Sequence, residues 1–510
     1  MASSSDVALP KALTDFVFDL HDSVTLSQIT EEQTKLYETD FRELSNKYFA
    51  NQPWPSPESI ASECNGDPLF LALYREMTHR HWHSVSRPNL RDRIDGWQVY
   101  RELFEEMLES SSFYVIPSWI FDILNEFVYQ FQGFCQVRSA LYATARKQGL
   151  VGADGTLQPA QGNHHPSNLL ENLTVLKNST DAWDIEVVYA YLNRLAALGL
   201  PKDGGSSKIS PASTYLSVFV AVARSRLECL LGDYVESLQV LTPLTVHGDF
   251  VIEKDDNPTV TTVLNSVFGA RLSVAYHAGV SLMMLRRHKD AIKTLGDMCT
   301  VMQRGFKTGQ LRKLPGLDQF NKQYDRMLAL LAILQYVCPT QGVLEDHLAR
   351  LIREKHAARL DAASSYEDWF QSPKFVSVDP NVPVFRQQVQ HFLQEVEPAV
   401  ANLQLRSYLK LYTSLPVEKL AKFHDKSVEE FMPRLMAYKL RTRQLERTAS
   451  NDSFVEGAWK VALDIHYYIV DNVVNIDEAE KQRRFENFFV AQIAQASAVC
   501  KEAKTIDPVV

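Results

Sequence analysis

The chain has 510 residues, 45% of them hydrophobic and 23% charged, with a formal net charge of −9 and a pI near 5.9. This is the composition of a globular chain with a sizeable core, about two to four domains at roughly 150 residues each. It excludes a protein that coats nucleic acid by bulk charge, because that needs surplus Lys and Arg, so any such contact is confined to a local patch.

The opening MASSSDVALPKAL has no basic segment followed by a continuous apolar run, so a secretory signal is not expected. No apolar run approaches the ~18 to 20 residues that cross a bilayer. Cys64, Cys135, Cys229, Cys299, Cys338 and Cys500 form no CxxC pair, which suits reduced thiols in a cytoplasmic protein better than bridges or zinc.

In chain order, residues 1–60 form an acidic N-terminal segment, with ten carboxylates against four basic side chains. Residues 61–200 read as a helical domain. Between Pro68 and Gln136 apolar residues recur at spacings of three and four, as in Leu69, Leu73 and Met77 or Ile120, Leu124, Phe127 and Phe131. Stretches 148–169 and 201–211, rich in Gly, Pro, Asn and Ser, read as linkers. Residues 212–398 carry two similar phrases, LGDYVESLQVL from Leu231 and LRRHKDAIKTL from Leu285, each with a small residue, Ser237 or Ala291, where paired helices would touch. They resemble the turn and second helix of a tetratricopeptide-type repeat, with an insertion around HGDFVIEKDDNPT lengthening the interval.

Residues 399–476 change character. An amphipathic helix over Val400–Tyr412, a short helix capped by Ser414, and a third helix begun by Ser427 with Glu430 as a capping box make a helix-turn-helix pattern. Two β-rich runs around Asp471-Asn472 then read as a hairpin. Three helices followed by a hairpin are a winged helix, and Pro433 inside the third helix is expected to delay or kink it. Residues 477–510 read as one final helix with Phe485, Phe488, Phe489, Ile493, Ala496 and Cys500 at helical spacing, a wide apolar face beyond the domain that would bury it.

Helical repeats running into a winged helix and a trailing helix resemble the PCI-domain family, the module shared by the proteasome lid, the COP9 signalosome and translation initiation factor 3. SYLKLYTSLPVEKLAKF, YHAGVSLMMLRRHKDAI, LLGDYVESLQVL, SWIFDILNEFVYQFQGF and NQPWPSPESIA with LFLALYREMTHRH further resemble, in the same order, blocks of the L-subunit family of that initiation factor. The resemblance implies a mostly α-helical, non-enzymatic, cytoplasmic scaffold without a cofactor. Its implied partners are subunit K, the PCI subunits of the core, whose C-terminal helices gather into a bundle, and the small ribosomal subunit, where it supports preinitiation-complex assembly. A subunit of another PCI complex and an independent winged-helix RNA binder are the alternatives.

The remaining constellations carry little chemistry. His79 and His83 share a helix face, but the glutamate of HExxH and a third ligand are missing, so no metal site is expected. His164 and His165 lie in a polar linker. The GADG and DGG phrases lack the strand, spacing and helix of a phosphate cradle, and no GxSxG or activated thiol suggests catalysis. Between Ala399 and Ser450 ten basic residues face five acidic ones. Lys439, Arg441 and Arg443 at the far end of the third helix are candidate RNA contacts, whereas Glu429 and Glu430 at its start would repel phosphate. The candidate partner-binding residues are Phe485, Phe488, Phe489, Ile493, Tyr467 and Ile469. The last two are in the wing, whose free sheet edge would let another subunit extend it.

Overall fold

A computed structural model describes residues 10–25, 29–110, 113–152, 167–199, 211–244, 260–314, 316–339, 343–448, 453–462, 465–478, 489, 492–493 and 495–497. The chain forms two compact units: residues 1–281 with 373–388 and 452–455, and residues 282–372 with 389–451 and 456–510. Among the described residues no helix is long and apolar enough to cross a membrane.

The first unit contains α1 (Lys11–Thr25), α2 (Glu31–Lys35), a π-helical turn over Leu36–Asp40, α3 (Phe41–Tyr48), α4 (Pro57–Ile60), α5 (Pro68–Val85), α6 (Leu90–Glu109) and α7 (Pro117–Lys147). It continues through α8 (Ser167–Asn178), α9 (Ile185–Ala197), α10 (Pro211–Leu231), α11 (Tyr234–Gln239), α12 (Val260–Ser266) and most of α13 (Phe268–Met284). Local chemistry starts these helices. Asp67 Oδ1 accepts from the Leu69 and Phe70 amides at 3.1 and 3.4 Å ahead of Pro68, Asn89 and Asp92 form a reciprocal capping box, and Pro117 opens α7. The acidic opening segment contributes to the core: Phe16 and Phe41 pack on Trp54, with ring centroids 5.9 and 4.9 Å away. A second aromatic cluster joins Trp97, Tyr100, Phe104, Phe127, Trp183 and Tyr191. Of the expected linkers, 153–166 and 200–210 lie outside the described residues, as does the insertion over 245–259, while Ser167 to Leu169 already belong to α8.

Both repeat-like phrases form the same turn. Gly232 has φ +92°, and the Asp233 amide donates to the Glu228 carbonyl at 3.0 Å. Fifty-four positions on, Arg286 has φ +62°, and the Arg287 amide donates to Leu282 at 2.9 Å. This is the left-handed helix ending whose amide bonds five residues back. Ser237 sits at a helix crossing, fully buried, donating to the Ser225 carbonyl at 2.8 Å and accepting from the Ser281 hydroxyl at 3.1 Å; Ala291 is also fully buried.

The second unit contains α14 (His288–Lys307), α15 (Leu317–Val337), α16 (Asp346–Asp361), most of α17 (Val384–Ala401), α18 (Leu403–Leu411), β1 (Ser414–Pro416), α19 (Val417–Lys422) and α20 (Val428–Thr442). It ends with β2 (Arg443–Glu446), β3 (Ala458–Val461), β4 (Ile465–Val470) and β5 (Val473–Glu478). One sheet has the order β1-β5-β4, all antiparallel, with Leu415 opposite Val474 and Tyr467 opposite Ile476; β2 and β3 form a separate ribbon. The order α18, β1, α19, α20, β4, β5 is that of a winged helix. Its core holds Leu409, Leu415, Leu420, Phe431, Leu435 and Tyr467.

The predicted hairpin is present: Asp471 and Asn472 both take positive φ, 49° and 58°, the combination that a two-residue type I′ turn requires. Two expectations change. Ser414 is not a helix cap but the first residue of β1, opposite Asn475, and α19 begins after Pro416 without a side-chain cap. Pro433 neither delays nor ends α20, which starts at Val428 with Ser427 Oγ accepting from the Glu430 amide at 3.3 Å and runs on to Thr442.

Candidate functional site

The third helix of a winged helix is the element a nucleic-acid reader lays in a groove, so the outward side of α20 reveals the use of this one. Phe431, Leu435, Tyr438 and Thr442 face the core. The opposite side presents exposed Pro433, Met436, Ala437 and Leu440, with Met436 and Leu440 49% and 69% exposed. Spacings of three and four make these one apolar stripe two turns long. Glu429 and Glu430 stand exposed at its head, where a phosphate would be repelled. An apolar strip with no basic side chain at its head fits another protein's side chains better than a nucleic-acid backbone.

The three basic candidates at the far end of α20 have separate environments. Arg441 is half-buried; it donates to the Gln394 carbonyl at 3.5 Å and lies 3.9 Å from Glu395, which also pairs with Arg286 at 2.8 Å. Its charge is therefore committed within the unit. Lys439 is half-buried, and only Arg443, first residue of β2, is exposed.

Among the partner candidates, Tyr467 is a correction: it is buried, and its hydroxyl donates to the Leu435 carbonyl at 2.6 Å, tying wing to third helix. Burial raises this phenol well above the usual tyrosine range. Ile469 is half-buried against the same core. The outward residues of β4 are instead His466, Tyr468 and Val470. Phe489 and Ile493 are helical and 60% and 64% exposed, whereas Phe485 and Phe488 lie outside the described residues.

The ribbon β2–β3 was not read from the sequence, and its inner side is bound to the start of α14. Gln444 Oε1 accepts from the His288 amide at 3.0 Å, Gln444 Nε2 donates to His288 Nδ1 at 3.2 Å, and Lys289 Nζ donates to both Glu446 oxygens at 3.0 and 2.9 Å. Burial, then the nearby Arg286 charge, pushes His288 down to about 4, so it is neutral at physiological pH. A Cβ on Gly457 would stand 2.4 Å from the Glu446 carbonyl oxygen, which explains a glycine where the strands approach.

The first unit holds a linked set of charges around α5 and α7. Arg80 lies 3.2 Å from Glu76 and 3.3 Å from Asp122; Tyr37 donates to Asp122 at 2.8 Å and Tyr100 to Glu76 at 3.2 Å. Burial raises Glu76 to about 7 and raises Asp122 as well. Each tyrosine hydroxyl and the guanidinium are spent on these carboxylates, an arrangement that orients helices rather than substrates. His79 and His83 lie beside it with rings 5.5 Å apart; burial depresses both, His83 to about 4.

Helical hairpins with a winged-helix end whose third helix is apolar on its open side define the structural class. Known proteins resemble this chain in sequence along most of its length. The sequence model of the Paf67 family, described as RNA polymerase I-associated factor PAF67, matches residues 92–496. The eukaryotic translation initiation factor 3 subunit L of Nematostella vectensis is 28% identical over 521 residues, covering 98% of this chain and 94% of that protein. The Mus musculus subunit L is 30% identical over 482 residues (90% and 80%) and the Xenopus laevis one 29% over 493 (92% and 83%). The chain belongs to the family of eukaryotic translation initiation factor 3 subunit L, a translation initiation factor subunit.

Proposed function

We propose that this chain is a non-catalytic, cytoplasmic scaffold subunit of translation initiation factor 3 that helps assemble the preinitiation complex on the small ribosomal subunit. In this reading residues 399–476 are the winged helix of a PCI domain, and its partners are the factor's other subunits, subunit K and the PCI subunits of the core among them. The apolar stripe Pro433, Met436, Ala437 and Leu440 carries the reading, because it supplies a protein-facing surface where a nucleic-acid reader would be basic. Ile493 and Phe489 supply a second apolar surface for a partner helix. The free side of β4, the edge strand of its sheet, offers backbone groups for a partner strand.

The test is purification of the tagged chain from eukaryotic cells at moderate salt. The wild type is expected to bring down the other subunits of the factor and to sediment with small ribosomal subunits. Met436→Glu with Leu440→Glu, both at exposed positions, is expected to keep the fold and lose those partners. A wild-type chain sedimenting apart from ribosomes and from every larger particle contradicts the proposal.

A further inference from the structure

The outer face of the β2–β3 ribbon carries an exposed tryptophan. Directly opposed residues of an antiparallel pair point to the same side, so Arg443, Leu445, Trp459 and Val461 share one face, and Gln444 and Glu446 hold the other side against α14. Trp459 is 67% exposed, whereas Trp54, Trp97, Trp119, Trp183 and Trp369 are at most 5% exposed. Its neighbours on that face are the exposed Arg443, diagonal to it, and the half-buried Leu445 and Val461; Lys460, next in the strand and opposite Gln444, is exposed on the other side. Neither Arg443 nor Lys460 has an ion pair among the described residues, and the exposed carboxylate in this part of the ribbon is Glu456.

We propose that this face binds single-stranded RNA, with Trp459 as a stacking platform for one base and Arg443 contacting a neighbouring phosphate. An exposed indole beside a cation that has no ion pair among the described residues matches a base and its neighbouring phosphate. A protein anchor of the same kind sits in a wider apolar ring, which this face lacks and the α20 stripe has. The ribbon is held by buried polar bonds, so the platform is in place before the ligand arrives. A single strand is required because a base inside a duplex has no free face to stack.

The test uses the purified full-length chain and a labelled 12-nucleotide oligouridylate, with an RNA duplex of the same length as comparison, followed by anisotropy and by quenching of tryptophan emission. The single strand is expected to bind and to quench. Trp459→Ala is expected to weaken binding about tenfold or more, and Trp459→Phe to retain most of it. Arg443→Ala is expected to lower the slope of log affinity against log salt by about 0.7. Absence of single-strand binding, equal binding of the duplex, or Trp459→Ala leaving RNA binding intact overturns the proposal. Loss of the factor's subunits from Trp459→Ala with unchanged RNA binding overturns it in favour of a protein anchor.

Discussion

Replacing Gln444 by Leu tests how the ribbon is held. The side chain is 5% exposed and serves two groups of one residue, accepting from the His288 amide at 3.0 Å and donating to His288 Nδ1 at 3.2 Å. That amide belongs to the first turn of α14, where no carbonyl of the helix itself can reach it. Leucine has a similar volume but satisfies neither group. A buried backbone donor left unpaired costs about 1–3 kcal/mol and the second bond about 1 kcal/mol; the extra apolar burial returns about 1 kcal/mol. The net loss is about 2 kcal/mol, which lowers amide-exchange protection of β2 and β3 about 30-fold while α15 is unaffected. Hydrogen exchange read peptide by peptide measures this directly. Unchanged protection over Arg443–Glu446 in a folded Gln444→Leu protein would refute the account. Burial of His288, then the Arg286 charge, makes the wild-type ribbon acid-sensitive. His288 is depressed from 6.5 to about 4, so its contribution is full above pH 6.5 and is lost as pH falls through about 4, up to roughly 3 kcal/mol.

Three further perturbations discriminate among the remaining claims. Asn472→Ala, at φ 58°, should destabilise the β4–β5 hairpin by about 1 kcal/mol, whereas Asn472→Gly should leave it level or better; amide exchange over residues 465–478 separates the two. Gly457→Ala should unpair β3 from β2, because the added carbon meets backbone and not a movable side chain; a ribbon that keeps its exchange protection counts against that reading. For Glu76, raised by burial to about 7, the protonated form is the one folding favours, so its contribution is full below pH 4.5 and is lost as pH rises through about 7. Glu76→Gln should therefore flatten the fall in melting temperature over that window, and a gain at pH 5 larger than at pH 8 would contradict the assignment.

What could be read in advance was chemistry that acts over a few residues. The Asp471-Asn472 turn was legible because two adjacent residues tolerant of positive φ between β-rich runs leave the backbone few alternatives. Ser237 was legible because a close helix crossing selects small side chains wherever the neighbouring helix originates. Ser414 was misread for the opposite reason: a serine ahead of a short helix looks like a cap, and only β5, some sixty residues later, makes it a strand residue. The ribbon was invisible on the same grounds. Its strands have four residues each, and they are held by His288 and Lys289, more than 150 positions earlier. The stripe on α20 was obscured by Pro433, which reads as a helix breaker. Once Phe431, Leu435 and Tyr438 set the inward register, the proline falls on the open side.

That placement bears on why a winged helix in this family need not read nucleic acid with its third helix. Reading a groove requires cations at the helix start, and here that position carries Glu429 and Glu430 above an apolar strip. The cations of the segment are displaced toward its end, where Arg441 is absorbed by Glu395 and Arg443 passes onto a ribbon outside the three-stranded sheet. In the two proposals, apolar docking and charged docking therefore fall on different elements. The two are separable, since the stripe depends on the winged-helix core and the ribbon on His288 and Lys289. A substitution that abolishes one surface should leave the other in place, so Met436→Glu with Leu440→Glu should lose protein partners at unchanged RNA affinity, and Trp459→Ala the reverse.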